Sequence, residues 1–185
     1  MIRYQITDGS AAADEQAWLD GLSPLATMIQ IREPELEAGR LAELAREVLR
    51  RTSAAVLVND RADVAIAVGA QGVHLRRDSA DAGRFRLIAP KGFLVSVACH
   101  SVEDVGRAAS ECVDFAVLAP IFSPRSKVGT RTPLGIGAIS LAAKIGIPVI
   151  ALGGITEENA AECLKAGAAG VAGITLFAVE RLRAR

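Results

Sequence analysis

Apolar residues recur along this chain in two alternating rhythms. Short runs rich in Val, Ile, Leu and Ala, four or five residues long, fall at 3–7, 28–31, 55–59, 72–75, 94–98, 115–118, 148–152 and 170–174. Between them lie stretches with helical spacing of apolar positions, at 14–21, 36–51, 61–68, 80–88, 102–111, 137–145, 157–166 and 176–182. The first pattern predicts strands and the second helices. Eight of each in strict alternation predict an α/β protein with a parallel sheet and crossover helices. Eight such repeats closing on themselves predict a (β/α)8 TIM barrel, one small domain over residues 1–185. At 185 residues its loops and helices must be short.

Two segments echo one another, Gly69-Ala70-Gln71-Gly72-Val73 and Gly167-Ala168-Ala169-Gly170-Val171. In each, the first glycine suits a left-handed helix end and the second a tight entry into a buried strand. The echo fits two half-barrels, and it fits equally two αβ loops that share common turn chemistry. A doubly wound open sheet would carry its glycine-rich turn after the first strand. Gly9 stands alone there, whereas Gly153-Gly154 follows the seventh strand, where barrels commonly hold phosphate.

Composition narrows the picture. Hydrophobic residues make up 51% of the chain but aromatics only 4%, so the core is built from aliphatic side chains. Lys plus Arg and Asp plus Glu number 21 each, so no overall field recruits nucleic acid or an anionic membrane. Cys99, Cys112 and Cys163 lack metal or disulfide spacing. That pattern, with no long apolar run and no leader pattern, leads to the expectation of a cytoplasmic protein. Oligomeric state is not readable from the sequence. The short stretch past Thr175 leaves open a homo-oligomer in which a second copy supports the barrel floor.

The strand ends change character from apolar to polar. Gln30 and Arg32 share one side of the second strand. An inward arginine at a barrel mouth is costly unless it meets an anion, either a ligand or the neighbouring carboxylates Glu33 and Asp60. Asn59-Asp60 ends the third strand, and Asp60 reads equally as a Mg2+ ligand or as a helix N-cap. Ser123 to Thr130 place small hydroxyls, Arg125 and Lys127 in a loop suited to a phosphorylated ligand, with Ser126 and Lys127 the stronger candidates. Gly153-Gly154 lets backbone N–H groups approach a phosphate, and Thr156 with Asn159 suits helix capping. Thr175, after the eighth strand, completes the same cradle. His74 and His100 fit hydrogen-bonded structural roles better than proton transfer.

Together these segments resemble the thiamine phosphate synthase family and its thiazole tautomerase relatives. The resemblance rests on Ile29-Gln30-Ile31-Arg32-Glu33, Val58-Asn59-Asp60-Arg61, Gly69 to Leu75, Ala119-Pro120-Ile121-Phe122 with Ser126-Lys127, and Ala151 to Thr156. It implies a Mg2+-dependent condensation of hydroxymethylpyrimidine diphosphate with thiazole phosphate, giving thiamine phosphate and pyrophosphate. By position, Gln30 contacts the pyrimidine, and Arg32, Asn59 and Lys127 hold the diphosphate as the catalytic set. Asp60, with Asp78, holds the metal. Ser126, Gly153, Gly154 and Thr175 hold the thiazole phosphate.

The chain departs from the family pattern at Pro34, at Ser79 where a second metal-binding Asp is usual, at Ala98 and at Pro124. The resemblance leaves room for Arg76, Arg77 or Arg125 to replace lost positive charge. Two alternatives accompany the synthase: a thiazole tautomerase and a non-catalytic binder of thiamine-related phosphates. The tautomerase relatives carry a His where this chain has Pro120, which weighs toward the synthase.

Overall fold

The computed structural model describes residues 1–79, 82–123 and 131–177. The elements run β1 (Ile2–Ile6), α1 (Glu15–Asp20), β2 (Met28–Ile31), α2 (Ala38–Arg51), β3 (Ala55–Asn59), α3 (Ala62–Val68), β4 (Gly72–Leu75) and α4 (Ala82–Arg86). They continue with β5 (Leu94–Cys99), α5 (Val102–Ser110), β6 (Phe115–Leu118), α6 (Ile136–Ala142), a 3-10 turn (Ala143–Ile145), β7 (Val149–Leu152), α7 (Glu157–Lys165) and β8 (Gly170–Gly173). All neighbouring strands are parallel, and β8 pairs with β1 to close the barrel. The expected helix over 176–182 begins as a turn at Leu176 and Phe177, and the rest lies outside the described residues. The helix expected over 80–88 is shorter, and 80–81 also lie outside them.

The period-two pattern sorts each strand between two cores. Tyr4, Met28, Leu57, Phe115, Val117, Ile150 and Ala172 fill the barrel interior. Ile31, Val56, Val58, Val73, Leu75, Val95, Leu118 and Ala151 face outward into the layer beneath the helices. There α2 presents Leu41, Leu44, Ala45 and Val48, one stripe at helical spacing. Two helices of the second half, α5 and α7, are capped by sequence-local signals. Ser101 accepts from the Asp104 N–H to start α5, and Thr156 and Asn159 form a reciprocal capping box on α7.

The echoed glycine segments are built alike, bond for bond. Gly69 and Gly167 both have positive φ, +73° and +104°. The following residues bond back to their helices, Ala70 N–H to Ala65 O and Ala168 N–H to Cys163 O. Gly72 and Gly170 then point inward, where a Cβ would come within 2.3 Å of the Leu94 and Ile2 carbonyl oxygens. Only glycine allows the next strand to pass that close.

Candidate active site

Strand parity brings Gln30, Asn59 and His74 onto the inner wall near the C-terminal rim. Asn59 is level with His74, and His74 with Ser96. Gln30 is buried and donates from Nε2 to Asn59 Oδ1 at 2.9 Å. Its Oε1 is buried with no hydrogen-bond partner among the described residues. An unmet buried acceptor costs roughly 1–3 kcal/mol, so the site suits a donor that the described residues do not supply. His74 belongs to the wall. Its Nδ1 lies 2.9 Å from Ser96 Oγ, and its ring meets Tyr4 edge-on. Burial pushes its pKa down to about 4 against the pull of Asp60, so it is neutral near pH 7. The buried Tyr4 phenol is pushed up by burial; it faces Ser96 outside normal hydrogen-bond geometry.

Glu33 is the hub of the rim. One carboxylate oxygen accepts from Thr7 Oγ1 at 2.6 Å, Trp18 Nε1 at 2.8 Å and Gly9 N–H at 3.3 Å. The other accepts from Ala11 N–H at 3.0 Å. Thr7 Oγ1 accepts in turn from the Arg32 N–H at 2.8 Å. This network ties the loop between β1 and α1 to the end of β2. It also settles what Arg32 does not do. Glu33 is fully engaged elsewhere, and Arg32 is exposed with no ion pair among the described residues. Its guanidinium is held at the rim by its backbone and is available to an anion.

Asp60 has the left-handed φ of +58°, and its N–H extends the β3–β4 ladder to His74 O at 2.8 Å. It does not cap α3. Arg61 is the N-cap residue there, without a side-chain cap bond. Instead Asp60 Oδ1 accepts from Ser79 Oγ at 2.6 Å, and Oδ2 pairs with Arg76 Nε at 2.8 Å. Asp78, expected beside it at a metal, is 81% exposed and 3.9 Å from the same Arg76 nitrogen. Mg2+ takes oxygen ligands in a near-octahedral shell. Here both Asp60 oxygens are engaged, the second carboxylate stands out in solvent, and a guanidinium fills the space between them. Among the described residues no three His, Cys, Asp or Glu cluster as a metal site. As arranged, the described residues offer the cation no free pair of carboxylates.

Arg77 turns away from the mouth. Its Nε lies 3.0 Å from both oxygens of Asp104 in α5, which also accepts from Arg107 and from the His100 N–H. Burial works to raise the Asp104 pKa, but the His100 N–H and Arg77 overcome it and hold the carboxyl below its ordinary range. His100 Nδ1 donates to the Ala119 carbonyl at 2.9 Å, which leaves Nε2 without its proton in the neutral ring. Cys99 is buried, and burial together with Asp104 pushes its thiol up to about 12, so it is not a nucleophile.

Across the mouth, Gly153 and Gly154 have φ of +96° and +63°. A Cβ on Gly153 would come within 2.7 Å of Pro120, and one on Gly154 within 2.6 Å of the Ser123 carbonyl. The pair is thus demanded by the segment leaving β6 as well as by backbone shape. Their carbonyls accept from the Phe122 N–H and from Asn159 Nδ2. Thr175, just past β8, the strand that neighbours β7, is exposed. Pro124, Arg125, Ser126 and Lys127 lie outside the described residues. A cavity of about 170 Å3 opens between the end of β1 and α1, lined by Thr7, Asp8, Ser10, Trp18 and Ile174. A larger one, about 460 Å3, lies outside the barrel between α7 and the outer face of β8 and β1, away from this chemistry. No helix among the described residues is long and apolar enough to cross a membrane.

A closed barrel whose C-terminal rim carries, among the described residues, an unmet acceptor and an arginine without an ion pair has the layout of an enzyme-type barrel with its ligand site at the strand ends. The comparisons make this specific. The family model described as thiamine monophosphate synthase matches residues 3–177. The thiamine-phosphate synthase of Methanoculleus marisnigri is 40% identical over 81% of this chain and 73% of its own. That of Methanospirillum hungatei is 36% identical over 93% and 87%. A solved structure, the thiamine phosphate pyrophosphorylase of Pyrococcus furiosus, superposes with a TM-score of 0.82 at 28% identity, over 99% of this chain and 90% of the other. The chain belongs to the thiamine monophosphate synthase family.

Proposed function

We propose that this protein condenses hydroxymethylpyrimidine diphosphate with thiazole phosphate, giving thiamine phosphate and pyrophosphate. As a member of its family it is an enzyme of the transferase class. In the reaction the C–O bond between the pyrimidine methylene and the diphosphate breaks, and its electron pair leaves with the pyrophosphate. The lone pair of the thiazole nitrogen then forms the new C–N bond. The protein's work is to stabilise charge on the leaving group and to keep the two rings aligned.

The observation that carries this reading is the unpartnered Gln30 Oε1. It is an acceptor fixed by Asn59 at the level of the rim, and the pyrimidine's amino group is a donor of matching kind. Arg32 binds the diphosphate through its fork of N–H donors. Gly153, Gly154 and Thr175 receive the thiazole phosphate on the opposite side. By the resemblance, Ser126 joins this cradle, and Lys127 joins Arg32 and Asn59 on the diphosphate. Both substrates are phosphorylated small molecules.

The test is direct. The purified protein is incubated with both substrates, with Mg2+ and with EDTA, and thiamine phosphate and pyrophosphate are quantified. Equal amounts of the two products are expected. A folded protein that forms neither removes the proposal. Proton exchange on a thiazole carboxylate phosphate without any pyrimidine present would move the assignment to the tautomerase.

A further inference from the structure

We propose that Arg76 takes the place of a divalent cation, so that diphosphate binding and release in this protein proceed without Mg2+. The inference rests on the synthase reading above for its chemistry, but its binding test does not.

Arg76 follows β4 by one residue and has the parity of His74, which lines the inner wall. Asp60 Oδ2 holds it through Nε, and the Ser79 hydroxyl occupies Oδ1 at 2.6 Å. The anchor uses the inner nitrogen. The two terminal nitrogens, which carry the paired donors suited to phosphate oxygens, make no hydrogen bond among the described residues. The side chain is 65% exposed, so those donors stand in solvent at the rim rather than in a packed interior.

The neighbouring strands place the groups that would share the load. Arg32 follows β2 and Asn59 ends β3, next in order around the barrel to β4. A diphosphate seated there meets one guanidinium from each flank and the Asn59 amide between them. The leaving oxygen's developing charge is then met by fixed N–H donors rather than by a metal. A guanidinium is always charged and weakly hydrated, so it needs no dehydration step before it engages phosphate. Ser79 has a specific part. A hydroxyl donor stabilises the Asp60 carboxylate facing Arg76, where a second carboxylate would have repelled the first.

Inorganic pyrophosphate is the binding probe. Calorimetric titration in EDTA is expected to show binding to the wild type, with Mg2+ changing the affinity by less than about threefold. Arg76→Ala should weaken pyrophosphate binding at least about tenfold in EDTA, and Arg76→Lys should weaken it less, because it keeps the charge and loses the fork. Turnover by the wild type should likewise survive EDTA. The substitution lies at an exposed side chain, and unchanged melting confirms that each variant is folded. Pyrophosphate binding that appears only with Mg2+, or that is equal in the wild type and Arg76→Ala, overturns the proposal. If pyrophosphate binds through Arg76 but no thiamine phosphate forms with or without Mg2+, the synthase reading fails and the anion site stands.

Discussion

Gln30 and Asn59 are joined side chain to side chain across neighbouring strands, Nε2 to Oδ1 at 2.9 Å. The bond spends the amide's donor inside the protein and leaves its acceptor facing the mouth. Gln30→Leu removes that acceptor together with its unmet desolvation cost. The variant should melt at or above the wild-type temperature, while kcat/KM for the pyrimidine diphosphate falls roughly 5- to 150-fold, the worth of one lost hydrogen bond of about 1–3 kcal/mol. A loss of stability with unchanged kinetics would make Gln30 a packing residue.

Glu33 gathers four donors from Thr7, Gly9, Ala11 and Trp18. Glu33→Ala strands buried donors and should cost about 3 kcal/mol in urea unfolding, whereas Glu33→Gln keeps one acceptor and should cost about half that. Both should lower activity, because Thr7 links this hub to the Arg32 backbone.

His74 makes stability depend on pH. Its folded pKa of about 4 lies below the ordinary 6.5. Between those values the unfolded chain binds a proton that the folded chain refuses, so stability is full above pH 6.5 and declines as pH falls toward 4. Relative to pH 7, the loss at pH 5 should be about 2 kcal/mol. His74→Gln keeps a hydrogen-bonding side chain at Ser96 and should flatten this part of the urea-midpoint profile. A profile with the same slope would assign the effect to other groups.

The three cysteines should react in order of burial. Cys112 is exposed, whereas Cys99 and Cys163 are buried with thiols pushed upward, chiefly by burial. A thiol reagent at pH 8 should modify one cysteine in the native protein and the other two only on unfolding. Rapid native labelling of Cys99 would contradict the packing beneath His100.

The fold was legible because its signals are local. The runs at 28–31, 55–59, 72–75 and 115–118 coincide with β2, β3, β4 and β6, since each is a buried strand bounded by polar or glycine residues. Gly69 and Gly167 were readable as helix ends because their conformation is one that few other residues adopt. The predicted first strand is one residue late, and the helix at 137–145 divides into α6 and a 3-10 turn, as element ends commonly do.

Part of the candidate set is brought together and its pairings were not legible, while Ser126 and Lys127 lie outside the described residues and Asp78 stands apart in solvent. Gln30, Asn59 and Asp60 do converge, and Arg32 stands on the adjoining strand end. Which carboxylate an arginine chooses is a tertiary matter. Spacing alone left Arg32 free to pair with Glu33 or Asp60, yet Glu33 is satisfied by a loop and an indole far from it in sequence. Asp60 is held by Arg76 from the next strand, and Arg77, one residue on, faces the opposite way toward α5. Sequence reading left Arg76 and Arg77 as equal candidates, and the alternation of side chains past the end of β4 accounts for their opposite directions.

The account rests on ligands seating at the rim between β2, β3 and β7, and a crystal structure with thiamine phosphate and pyrophosphate tests that most directly. Gln30 Oε1 should accept from the pyrimidine amino group within hydrogen-bond distance, with pyrophosphate against Arg32 and the thiazole phosphate at Gly153-Gly154. Ligand seated in the outer cavity by α7, or Gln30 Oε1 still unpartnered with both products bound, would contradict it.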